Sequence, residues 1–280
     1  MAAPHVSSVS PVRPTAHGEH KASFAELRRL IHAIERATPS VGGAVAGPAA
    51  ELAAPLGLAV LDQALPAGGL VRGALHEVRP ANPSGADAGA SAGFVSALLV
   101  RLLAGEASGP VLWCLGAAGR RETGRPYGPG LAAFGLDPNR LLFAWARRDA
   151  DVLWAMREGL GCSQLAAVIG ETEAMPDLAA SRRLQLAAGA SGVTAILLGR
   201  RALGSEPSAA LTRWRVAAMG SEHVPGEGVG RPRWQVALER CRGGVPHDWV
   251  LEWRDETGDF ALAAALSGRS AEPAQARLAG

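Results

Sequence analysis

Lysine is almost missing from this chain of 280 residues: Lys21 stands alone against 27 arginines. Beyond it no compact ammonium is left to reach a phosphate, and a planar guanidinium fork is a poor stand-in for a point charge. Cysteine is sparse as well. Cys114, Cys162 and Cys241 are odd in number, far apart and without C-x-x-C spacing, which argues against a disulfide framework or a zinc site. They read as small buried hydrophobes in a reducing compartment. Net charge is only +2, so the chain as a whole lacks the polybasic character that announces nucleic acid. Unbroken apolar runs are lacking too. Residues 41–61 are interrupted by glycines, prolines and Glu51, which spoils a membrane span, and residues 1–20 do not form a signal peptide. The expectation is a cytoplasmic protein with no membrane partner.

What is present is patterned. Residues 1–22, rich in Pro, Ser and His, read as a disordered tail whose His5, His17 and His20 are solvated. In 23–39, Phe24, Leu27, Leu30, Ile31 and Ile34 recur at helical spacing behind a Ser23/Glu26 capping box, which predicts an amphipathic helix. Residues 40–57 read as a linker and 58–254 as the core. Strands are expected at 74–78, 111–115, 141–145, 165–170 and 193–198. Helices are expected from about Ser91 to Ala104, after Asp149 or Asp151, and after Asp177. That alternation predicts an α/β fold with a mostly parallel, twisted sheet flanked by helices. Residues 211–217, 234–241 and 249–253 alternate with period two and read as an antiparallel C-terminal extension. Residues 255–280 read as a tail.

The stretch 61–99 joins a Gly-Gly-Leu turn, a strand, a small-residue segment and a helix. Strand, glycine-rich loop and helix N-terminus together aim backbone amides at an anion. A phosphate loop reads G-x-x-x-x-G-K-[ST], whereas this segment reads GADAGASAG. Gly85, Asp87, Gly89, Ser91 and Gly93 thus form a degenerate phosphate loop, with Asp87 presenting negative charge where phosphate would sit. No nucleotide, metal or other cofactor is expected, and no enzymatic activity.

Residues 57–78, GLAVLDQALPAGGLVRGALHEV, resemble the entry to the core of the recombinase RecA. Residues 134–160, LAAVIGE and WQVALERCRGGVPHDWVLEW resemble its later segments. The resemblance implies a RecA-like core of the P-loop NTPase type over residues 23–253. GRRETGRPYGPGLAAFGLDPNRLL, ARRDADVLWAMREGL, DLAASRRLQLAAGASGVTAILL, TRWRVAA and ERCRGG are similar, in the same order, to motifs of the ImuA proteins of bacterial damage-induced mutagenesis. This implies an accessory factor in SOS-induced, error-prone translesion synthesis, nucleoid-associated on DNA damage. The implied partners are an ImuB-type Y-family-like polymerase subunit and an error-prone C-family polymerase, with RecA, single-stranded DNA and self-association as further contacts. Two other readings remain: a divergent RecA-like ATPase of DNA repair, and a division inhibitor like SulA.

Glu171 falls at the position of the metal-orienting acid in that resemblance, and reads as vestigial without a phosphate cradle. Candidate contacts for DNA or partner are Arg120, Arg121 and Arg125 with the lone tyrosine Tyr127, Arg200 and Arg201 after a strand, and Arg213 and Arg215 on one strand face. Arg182 and Arg183 read as a solvated helix face. Trp113, Trp145, Trp154, Trp249 and Trp253 read as core, and Trp214 and Trp234 are left open between core and interface.

Overall fold

Of the nine strands in the main sheet, six, most of them nearly all apolar, run parallel, and the other three extend them antiparallel at one edge. The computed structural model of the chain describes residues 29, 53–104, 109–117, 124, 126–201, 207–221 and 230–263. The amphipathic helix expected at 23–39 therefore lies, but for residue 29, outside the described residues, as do both far tails.

In chain order the elements are β1 (Ala53–Ala54), α1 (Ala59–Asp62), β2 (Leu70–Val71), β3 (Leu75–Pro80), α2 (Gly85–Leu103) and β4 (Val111–Gly116). There follow α3 (Gly128–Ala133), β5 (Leu141–Ala146), α4 (Asp149–Leu160), β6 (Ala167–Thr172), α5 (Leu178–Ser191) and β7 (Thr194–Gly199). The chain then lays down β8 (Thr212–Met219), β9 (Arg233–Cys241), β10 (His247–Arg254) and β11 (Asp259–Leu262). Across the large sheet the order is β11-β10-β9-β8-β3-β7-β6-β4-β5, while β1 and β2 pair separately.

Crossover handedness decides which face each helix takes. The β3-to-β4 connection crosses the sheet towards the β5 edge, and the β5-to-β6 and β6-to-β7 connections return, so right-handed crossovers put α2 on one face and α4 and α5 on the other. Side chains alternate accordingly. Val78, Trp113, Ile169 and Ile196 meet Phe94 and Leu98 of α2, and Leu75, Leu112, Val168 and Leu197 meet Val152, Met156 and Leu184 of α4 and α5. Strands covered on both faces read as nearly continuous apolar runs, with His76 and Glu77 of β3 and Glu171 of β6 among the buried polar exceptions.

Under α2 the antiparallel half contributes an aromatic cluster. Phe94 lies 5.6 Å from Trp214, 5.9 Å from Trp234 and 5.6 Å from Phe260, centroid to centroid. All seven tryptophans except Trp145 and Trp154 are buried, and those two are half-buried. At Gly93 the helix backbone approaches this cluster closely, so that a Cβ there would sit 3.4 Å from both Phe134 and Trp234.

Four expectations change. The helix after β3 begins at Gly85 rather than near Ser91, capped by Ser84, which accepts the Asp87 amide. Asp149 and Asp151 do not cap α4: Asp149 takes the amides of Glu173 and Ala174 at 2.9 and 3.3 Å, and Asp151 pairs with Arg148. The end of the expected linker is ordered, with Leu56 buried and its amide donating to Asp62 at 2.6 Å. The tail begins later than expected because β11 pairs with β10, covering Phe260. Asp177 does cap α5, accepting the Ala180 amide at 2.7 Å.

His76, fully buried on β3, is wired as a neutral imidazole. Its Nε2 faces the Val71 carbonyl at 2.8 Å and must donate there, so Nδ1 accepts from the Thr212 hydroxyl at 2.7 Å. Thr212 Oγ1 in turn accepts from Trp214 Nε1 at 2.8 Å. Burial pushes the His76 pKa from 6.5 down to about 4. Between those values the unfolded chain binds the proton that the folded one refuses, so stability is full above pH 6.5 and falls as pH drops towards 4. Urea unfolding should lose up to about 3 kcal/mol from this group over that window, and His76→Gln should lack that part of the slope. Equal pH slopes in the two proteins would contradict the wiring.

Candidate functional site

Between β4 and β6 the connections diverge, β4 leading on to the β5 edge and β6 back towards β7. A crevice at the carboxyl ends of the strands is the standing consequence of such a reversal. Here it is a pocket of about 310 Å³. Ala88, Gly89, Ala92 and Gly93 of α2 make one wall, and Leu115 and Trp113 of β4 with Leu131 and Phe134 around α3 make the other. Tyr127 stands at the rim, 71% exposed.

Among the described residues, the charged ones lining it are Glu171, at the end of β6, and Arg200, just past β7. They are joined at 2.6 Å and both side chains are 8% exposed. Glu171 is therefore a structural acid matched to a buried cation, held where β6 and β7 leave the core. A metal approaching this carboxylate would meet the Arg200 guanidinium beside it. Among the described residues no group of three His, Cys, Asp or Glu side chains is placed to hold one.

Gly85, Asp87, Gly89, Ser91 and Gly93 do not form a loop at all; every one lies in α2. Only residues 81–84 separate β3 from the helix. Asp87 is buried and accepts from the Asn82 amide at 3.0 Å, the Asn82 side-chain amide at 2.9 Å and the Ala218 amide at 2.8 Å. Ser84 takes the Asp87 amide at 3.1 Å, and the Ser91 hydroxyl donates to the Asp87 carbonyl at 2.8 Å. The Asn82 amide, in the connection ahead of this helix, is thus held by a carboxylate of the helix's own first turn, and the Asp87 and Ala88 amides are met by Ser84. A phosphate arriving there would meet the Asp87 carboxylate beside the Asn82 amide.

The candidate arginines divide sharply. Arg213 is buried against the fully buried Glu77, 2.9 Å away, with Ser208 donating to the same carboxylate. Arg200 is buried on Glu171, and neither of these two can reach a nucleic-acid backbone from its present place. Arg201 pairs with Glu173 at 2.6 Å and Arg215 with Glu239 at 2.7 Å, both part-exposed. Arg120, Arg121 and Arg125 lie outside the described residues. Arg182 and Arg183, read from sequence as a solvated face, are exposed on α5.

Sequence reasoning missed the apolar walls. Nothing local in the sequence ties Leu131 and Phe134 to Gly93. The Asp87–Ala218 bond spans 131 positions and leaves no local trace.

No protein-family model matches the chain. Over 231 residues, 75% of this chain and 91% of the relative, it is 36% identical to Protein ImuA of Caulobacter vibrioides. The same figures hold for strain NA1000 / CB15N and for strain ATCC 19089 / CIP 103742 / CB 15.

The buried pair yields a stability test. Glu171→Ala or Arg200→Ala alone should cost about 3–5 kcal/mol in denaturant unfolding, because each strands the other charge. Replacing both, as Glu171→Leu with Arg200→Met, should recover at least half of that loss. Single losses that simply add in the double variant would contradict the coupling.

Proposed function

The chain belongs to the ImuA family, and from that premise we propose that it is a non-catalytic accessory factor in SOS-induced, error-prone translesion DNA synthesis. In this reading a RecA-like core has lost nucleotide turnover and is retained for its surfaces. Those surfaces join an ImuB-type Y-family-like polymerase subunit and an error-prone C-family polymerase, and contact RecA and single-stranded DNA, in the cytoplasm and at the damaged nucleoid.

The observation that carries the non-catalytic reading is the Asp87 carboxylate on the amides of Asn82 and Ala218. Phosphoryl transfer depends on cations and amides aimed at developing negative charge. Ahead of this helix the Asn82 amide holds a carboxylate, no lysine exists beyond residue 21, and the acid at the end of β6 is bound to an arginine. Each departs from what turnover requires.

Equilibrium dialysis of the full chain against labelled ATP with Mg²⁺ tests the first half, and saturable binding is not expected below millimolar nucleotide. Micromolar binding would instead favour a divergent ATPase. The accessory role is tested by reconstituted synthesis across a lesion with the two polymerase components. Bypass product should rise when this chain is added, and an unchanged yield would overturn the role.

A further inference from the structure

α5 has an outward face that its own chemistry does not explain. The helix, LAASRRLQLAAGAS, contains no acidic residue. Solvent-facing arginines on a helix are ordinarily matched by Glu or Asp three or four positions away. Around Arg182 and Arg183 those positions hold only Leu178, Ala179, Ala180, Gln185, Leu186 and Ala187. Both arginines are exposed, and neither has an ion pair or hydrogen bond to the described residues. They also sit before the helix's midpoint, where the macrodipole gives a cation nothing.

Leu178 and Leu186 are 50% and 61% exposed on the same helix. At 100° per residue, Leu178, Arg182 and Leu186 fall on one stripe, and Leu186 sits between Arg182 on one side and Arg183 on the other. An apolar side chain flanked by two unmatched guanidiniums is the chemistry of an anchored contact: a leucine for a partner to cover, and planar forks for two carboxylates.

We propose that this face of α5 docks an acidic amphipathic segment of a partner protein, its carboxylates engaging Arg182 and Arg183 and its apolar side chain covering Leu186. The chain does not supply that segment itself. Outside the described residues its acidic residues occur singly, never two within four positions. A nucleic-acid backbone would match the cations but leave both leucines uncovered. The inference rests on α5 alone and stands whether or not the chain serves in lesion bypass.

Fluorescence anisotropy of the full chain tests it with three labelled probes. These are a short helical peptide with glutamates four apart flanking leucines, the same peptide with lysine for glutamate, and single-stranded oligothymidylate. The glutamate peptide should bind. Affinity should fall at least about tenfold in R182E/R183E and markedly in L178A/L186A, with helix content unchanged by circular dichroism. R254E, altering an exposed arginine on β10, should leave binding intact, and the lysine peptide should gain affinity for R182E/R183E. Three results would overturn the proposal. One is equal or absent binding of the glutamate peptide to both proteins. Another is loss of oligothymidylate binding alone in R182E/R183E, which would make the face a nucleic-acid surface. The last is a dimer in sedimentation that R182E/R183E splits, which would make the occupant a second copy.

Discussion

One carboxylate fixes how the first crossover is built. Asp87 sits in the first turn of α2 and holds the amide that leaves β3 and an amide on β8, so helix and both strands share a single anion. With that terminus fixed, the following turns of α2 lie along the sheet with Ala88, Gly89 and Ala92 towards the pocket and Phe94 into the aromatic cluster. The same carboxylate occupies the Asn82 amide in the connection ahead of the helix.

The near absence of lysine has a structural counterpart. Arginines in this fold act as ties between distant carbonyls and carboxylates, work for which a planar multi-donor group is suited and an ammonium is not. Arg101 reaches from α2 to the carbonyls of Pro55 and Gly258 and to Asp259, joining the segment before α1 to the last hairpin. Arg72 donates to the Leu102 carbonyl in the last turn of α2 at 2.9 Å, Arg140 to Gly109 at 2.8 Å and Arg240 to Ser208 at 2.7 Å. Arg213 and Arg200 belong to the same class. The arginines that remain for partners are those the fold has not used, and Arg182 and Arg183 are among them.

How much of this could be read from sequence depended on how local the cause was. The buried strands β4, β6 and β7 were legible because burial on both faces leaves an apolar run that short-range pattern detects, and Asp177 was legible as a cap because its partner is three residues away. The 85–93 segment was misread for a reason outside itself. Repeated Gly and Ser weaken a helix in isolation whereas Ala favours it, but a helix lying against a sheet and a pocket wall needs small side chains, and tertiary contact decided the matter. Strands of two to four residues, such as β1 and β11, carry no period to read. Charge was visible and pairing was not: nothing near Arg213 points to Glu77, 136 positions away, so a buried tie and an exposed contact looked alike.

Backbone amide exchange at Asn82 and Ala218 tests the role of Asp87 most directly. With the carboxylate in place both amides should exchange slowly at neutral pH, and in Asp87→Ala both should speed up together while amides of β6 and β7 keep their protection. Fast exchange at both positions in the unaltered chain, or protection that survives removal of the carboxylate, would contradict the account.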